Sequence, residues 1–220
     1  MTDSSRVACL ALPIARVLTG AVIAAAIVAT FVETAGRATV NPFNFFGYFT
    51  IQSNTLFAVT AVISGCVGLI RPGVQPRWLV VLRSLVTVCM IIVGLVYAAL
   101  LAPLGLEGGV PVPWANWAMH VAGPILAAAD WVFATDRGAL PWRIAFLELA
   151  YPILWIAVVL VRGATDGWVP YPFLDPAQGY PVVAAYVVVI ALVFLGVSAA
   201  VVWWSRFAQA RAERASQVRL

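Results

Sequence analysis

Long stretches of this chain carry almost no polar residue, and the few polar ones inside them recur at spacings that a helix turns into faces. Apolar runs of roughly 20 residues, enough to cross a bilayer at a helical rise of about 1.5 Å per residue, are centred near Gly20, Ala61, Met90, Ile125, Trp155 and Ile190. Segments such as "AVIAAAIVATF" and "YVVVIALVFLGV" are apolar all round. They lack the alternation that a membrane barrel requires. The pattern predicts helices from Val7 to Phe31, Phe45 to Ile70, Trp78 to Leu101, Trp114 to Ala134, Trp142 to Val161 and Tyr180 to Ser205. The turn "RPGVQPR" and the segment "APLGLEGGVPVPWAN" supply helix stops by proline and glycine. The expected fold class is all-α: a polytopic membrane protein with one domain of six transmembrane helices over residues 1–205 and a short basic tail over 206–220. No internal repeat of the kind that marks many transporters is visible.

Composition supports a membrane setting. The chain is 63% hydrophobic and 10% charged, with a mean hydropathy of +0.98, whereas about a quarter of residues are charged in soluble domains. All 13 basic residues are arginine. Only Arg37 and Arg162 fall on one side of the predicted bundle. The rest lie in or beside the N-terminus, the second and fourth connections and the tail. That asymmetry predicts cytoplasmic N- and C-termini. It also accounts for the pI near 9.3, because arginines on the inner face meet anionic lipid headgroups. Without a basic and aromatic platform, nucleic acid is not an expected partner. The run from Val7 to Phe31 exceeds the roughly 7 to 15 residues of a signal-peptide core, so a retained helix is expected rather than a cleaved leader. Cys9, Cys66 and Cys89 have unrelated spacings inside predicted spans. They read as packing residues rather than a disulfide framework or a metal knuckle.

Polar groups within the spans fall into two layers, and such groups are site candidates because they are costly in hydrocarbon. Near the arginine-bearing ends lie Arg16, Arg83, Asp130 and Glu148, two bases and two acids that form either a neutral clasp of the bundle or a proton relay. Near the opposite ends lie Thr50, Ser53, Asn54, Asn116 and His120. From the predicted helix starts, Thr50 and His120 sit at similar depth, roughly 8 to 9 Å below the helix ends. Thr50, Ser53 and Asn54 at i, i+3 and i+4 share one stripe, which is expected to line a polar pocket. A lone histidine cannot supply paired haem ligands or a histidine-rich zinc site, and no cofactor or metal is expected. His120 is either a general base for a hydroxyl nucleophile or an interhelical hydrogen-bonding group. The loop "RGATDGWVPYPFLDPAQGYP" is stiffened by proline, and Tyr171, Pro172, Phe173 and Asp175 either roof the pocket or anchor the chain at the interface.

The blocks "YFT", "WANWAMH" and "GWVPYPFLDP", in that order over roughly residues 40 to 180, resemble the androgen-induced and androgen-dependent six-helix membrane proteins. "YFTIQSN" and "RG…PYPFLDP" bring the chain nearer to their bacterial relatives. The resemblance implies a membrane-embedded threonine hydrolase acting on esters of fatty acids with hydroxy fatty acids, with Thr50 at the nucleophile position and His120 at the base position. It further implies a bacterial inner (plasma) membrane, with membrane lipids and a lipid-like substrate as partners. Ser53 is an alternative hydroxyl, and Asn54 and Asn116 are candidate oxyanion donors chosen from the chain itself. A transporter or lipid-binding protein with a proton path from His120 to Asp130 is the competing function. "HVAGPILAAAD" leaves that path no polar side chain on its own helix.

Overall fold

The structure, a computed structural model, describes residues 3–107 and 110–217. Arg219 and the side chains of Arg6 and Cys9 lie outside the described part. All regular structure among the described residues is helical. The helices are α1 (Asp3–Arg37), α2 (Pro42–Phe45), α3 (Phe49–Ile70), α4 (Arg77–Val96), α5 (Pro113–Trp117), α6 (Gly123–Phe133), α7 (Arg143–Leu147), α8 (Ala150–Thr165) and α9 (Tyr180–Gln217).

Among the described residues, five helical stretches are long and apolar enough to cross a membrane: Leu10–Arg37, Phe49–Ile70, Arg77–Gly105, Arg143–Thr165 and Tyr180–Gln217. The run 113–133, expected as a further span, is not one of them. It is continuous, since α5, a π-helical turn at Ala118–Ala122 and α6 follow one another without a gap. Asn116, His120, Pro124 and Asp130 dilute its apolar content. From 206 the basic tail is a helical extension of the last span, with α9 continuing unbroken to Gln217.

Helix α4 is central, packing on α3, α6 and α9. Small residues set the closest approach, between α1 and α3. A Cβ placed on Gly20 would lie 2.7 Å from the Ala58 carbonyl oxygen, and one on Gly65 would lie 2.6 Å from that of Pro13. Membrane helices gain contact through such backbone proximity, because lipid offers no hydrophobic drive between helices. Helix α8 is the opposite case. Val159 is its only buried residue, and Ile153, Leu154 and Val158 face outward.

Hydrogen bonds gather the connections into two ends. At one, the Gln75 N–H donates to the Asp136 carbonyl at 2.8 Å, and the Leu140 N–H donates to Ser205 Oγ of α9 at 3.1 Å. At the other, Arg162 Nη2 donates to Asn44 Oδ1 at 2.7 Å, and Trp155 Nε1 donates to the Gly47 carbonyl at 2.9 Å. The first is the arginine-rich end; the second carries the candidate site.

Candidate active site

Two helical irregularities frame the site, and both precede a proline. A proline has no N–H to donate to the carbonyl four residues earlier. Pro103 follows the π-helical turn Tyr97–Leu101, and Pro124 follows the turn Ala118–Ala122. Such widened turns are frequent at functional positions. Here they bring Tyr97 and His120 face to face, with ring centroids 4.3 Å apart and planes at 23°.

Asn116 holds this pair from two sides. Its carbonyl lies 3.1 Å from His120 Nδ1. Because a carbonyl only accepts, that bond requires the tautomer with the proton on Nδ1. Nε2 is thereby left as the free nitrogen of a buried ring. The Asn116 side chain donates from Nδ2 to the Tyr97 hydroxyl at 2.8 Å and accepts from the Val110 N–H at 3.3 Å. Asn116, a candidate oxyanion donor by its side-chain amide, thus bonds to both rings of the pair and does not itself line the cavity that Thr50 and His120 share.

Thr50, in the first turn of α3, is 8% exposed. Its partner is the Tyr171 hydroxyl, which accepts from the Thr50 N–H at 3.2 Å and lies 3.3 Å from Thr50 Oγ1. Burial pushes the Tyr171 phenol up to about 12, the opposing hydrogen bonds to Thr50 notwithstanding. The phenol therefore keeps its proton at neutral pH and remains a donor. Tyr171 stacks on Phe173 at 5.3 Å and meets Tyr48 edge-on at 5.6 Å. This aromatic packing folds the loop back over the bundle.

Thr50 and His120 line one cavity of about 270 Å³, together with Thr30, Thr34, Tyr48 and Tyr171, under the exposed rim residue Pro172. No hydrogen bond joins the two directly among the described residues; each has the partner already given. Thr50 also borders a second, almost wholly apolar cavity of about 120 Å³. Phe173, Trp155, Ile156, Ile190 and Phe194 line this second cavity, which shares Thr50, Leu101 and Tyr171 with the first.

The expected polar stripe is divided. Ser53 and Asn54 are fully buried and line neither cavity. Positions i+3 and i+4 point roughly 100° apart around a helix axis, so in a multi-helix bundle they meet different neighbours. Asn54 Nδ2 donates to the carbonyls of Thr50 at 2.9 Å and Met119 at 3.3 Å, which commits both its protons to backbone. Asp175 is not part of the roof; it accepts from the Ala177 N–H at 2.8 Å as the cap of a short turn.

The inner charge cluster forms with one member exchanged. Arg16 Nε pairs with Asp130 at 2.7 Å, and Arg83 pairs with Asp130 at 2.8 Å and with Asp136 at 3.0 Å. Arg16 also binds Asp136. Glu148 is elsewhere, buried against Ser198 of α9 and without a cationic partner among the described residues. It lies between α7 and α8. Asp136 takes its place from the connection after α6. Burial alone would raise the Asp136 carboxyl, but the bonds and charges of Arg16 and Arg83 prevail and hold it below the usual range. A carboxylate in a short connection reads as solvated from sequence, and only its neighbour Arg137 hinted at a charged contact.

The assembly is thus an all-helical, strongly apolar protein of membrane type, with a hydroxyl and an imidazole on one buried cavity. No protein-family model, curated protein or solved structure matches the chain.

Proposed function

We propose that the protein is a membrane-embedded carboxylic ester hydrolase acting on fatty-acyl esters, with Thr50 as nucleophile and His120 as general base. The observation that carries this is the position of Thr50, on the wall between the cavity that holds the imidazole and an almost wholly apolar cavity of acyl-chain character. The resemblance to the androgen-induced threonine hydrolases points to the same two residues. In this mechanism His120 Nε2 takes the hydroxyl proton as Thr50 Oγ1 attacks the ester carbonyl. The Tyr171 hydroxyl donates to the developing oxyanion, the role with the largest electrostatic leverage in acyl transfer. The alcohol leaves with the proton from His120. Water, deprotonated by the same nitrogen, then releases the fatty acid from the acyl-threonine.

In this reading the run 113–133 is the sixth membrane span, both termini are cytoplasmic, and the site faces the outer leaflet of a bacterial inner membrane. Of the polar residues that lower the apolarity of 113–133, Asn116 and His120 belong to the proposed site and Asp130 to the inner charge cluster, and its length of 21 residues suffices to span the hydrocarbon. A reporter fused after Leu220 is expected to read cytoplasmic; a periplasmic readout overturns the topology. The competing path from His120 to Asp130 gains no support, because the cavities at these two residues have no lining residue in common.

Acyl-chain selectivity tests the reading directly. Ala191 and Ile190 line the apolar cavity, and Ala191→Phe should fill part of it. A buried methylene contributes about 0.8 kcal/mol, so kcat/KM should fall roughly fourfold for each methylene excluded. Hydrolysis of an ester series by purified protein should show long chains losing rate while short ones keep it. An unchanged chain-length profile removes this cavity from the substrate path.

A further inference from the structure

A second cavity, of about 270 Å³, lies at the arginine-rich end and shares no wall with the proposed catalytic site. It is a slot between α1 and α6. Leu12, Ala15, Arg16 and Thr19 on α1 face Leu126, Ala129, Asp130 and Phe133 on α6. The two stripes have the same i, i+3, i+4, i+7 spacing, and the Arg16–Asp130 pair bridges them. The mouth is apolar and open to the side: Phe133 is 80% and Leu126 46% exposed. The wall formed by α3 and α4 is mixed, with Thr60, Ser64 and Arg83 set among Phe57, Ala61 and Val86.

Two features of that wall point to an anionic occupant. The first is unspent donors. Arg83 Nε and Thr60 Oγ1 have no hydrogen-bond partner among the described residues, although their residues are 4% and 2% exposed. A buried polar group without a partner costs about 1 to 3 kcal/mol, and more when it is charged. The second is charge balance. Arg16 and Arg83 share Asp130 and Asp136, while the adjoining Arg137, which does not line the slot, makes no ion pair among the described residues, which leaves one positive charge in excess at low exposure. Arg137 finds only the carbonyls of Ala134 and Val132 and the face of Trp131, at 5.2 Å. Burial, and then the neighbouring Arg83 charge, push its guanidinium down to about 10.

We propose that this slot binds an anionic amphiphile, with its oxyanion head against Thr60 and Arg83 and its acyl chain passing outward between Leu126 and Phe133. A phospholipid phosphate and a fatty carboxylate share that chemistry. The head satisfies the two idle donors and offsets the surplus charge, while the chain covers apolar wall that otherwise meets lipid loosely. The site is independent of Thr50 and holds whether or not the protein is a hydrolase.

The test is the unfolding temperature of full-length protein in neutral maltoside detergent, followed by tryptophan fluorescence. Phosphatidylglycerol, palmitate, phosphatidylcholine and inorganic phosphate are each added separately. A rise of several degrees is expected with phosphatidylglycerol, palmitate or both, and whichever is effective identifies the head group. Ala129→Trp, which fills the slot, and Thr60→Val, which keeps the shape but removes the hydroxyl, should each reduce that rise by at least half. An equal rise with phosphatidylcholine, the same rise with inorganic phosphate alone, no rise with either anionic amphiphile, or an undiminished rise in both variants overturns the proposal.

Discussion

A fluorophosphonate is expected to label the folded protein at a single residue, and Thr50→Ala and His120→Ala are each expected to abolish that labelling. The probe requires an activated oxygen nucleophile rather than a particular residue type. In the proposed mechanism Thr50 would supply the oxygen and His120 Nε2 the base, and both residues line one cavity. Ser53→Ala should leave labelling intact, because Ser53 is fully buried and lines neither cavity bordered by Thr50. Tyr171→Phe should slow labelling and any ester hydrolysis by roughly 10² to 10³, the usual consequence of removing one oxyanion donor. The labelling rate should rise with pH as the imidazole loses its proton, since only neutral imidazole accepts one. Loss of label in Ser53→Ala with retention in Thr50→Ala would reverse the assignment. A folded protein that ignores both this probe and smaller analogues would remove the enzyme reading.

Asp136→Asn is expected to destabilise the protein in detergent more than any change at Glu148. Asp136 bonds both Arg16 and Arg83, so neutralising it leaves two buried guanidinium groups short of a partner. Breaking a buried pair in this way costs roughly 3 to 5 kcal/mol. Glu148→Gln removes no ion pair, and its amide oxygen still accepts from Ser198 Oγ. The Asp136 carboxyl is held low in the folded protein. Its contribution is therefore fully present above the unfolded carboxyl value of about 3.9 and is lost as pH falls through the lower folded value. The wild type should lose stability over that acid window, and Asp136→Asn should show a flatter profile there. Equal thermal shifts for Asp136→Asn and Glu148→Gln would place Glu148 back in the clasp.

Side-chain period made the helices and the inner clasp legible, because an ionised group in an apolar run has few ways to be satisfied. Arg16, Arg83 and Asp130 were found on that ground, and all three meet. Asp136 was not, because in a connection between helices a charge reads as solvated. Glu148 was misplaced because depth along a helix says nothing of azimuth, and it faces α9 rather than α1. The same limit divided the stripe of Thr50, Ser53 and Asn54. Tyr171, expected as a pocket roof or an interface anchor, also brings its hydroxyl to Thr50. The widened turns at Tyr97 and His120 did leave a signal in the chain, a proline closely following each.

The junction at Thr50 bears on where the two halves of a cleaved ester would go. One neighbouring cavity holds the hydroxyl and imidazole groups and reaches the exposed rim at Pro172; the other is almost wholly apolar and borders the outward-facing Ile153 on the sparsely buried α8. In the proposed hydrolysis, an alcohol released on the first side would leave by the rim, while an acyl product on the second would leave toward the bilayer. Once the fragments are dissolved in different phases, their re-encounter at Thr50 requires two separate partitioning steps. The partition itself would then pull an otherwise nearly balanced ester exchange toward cleavage.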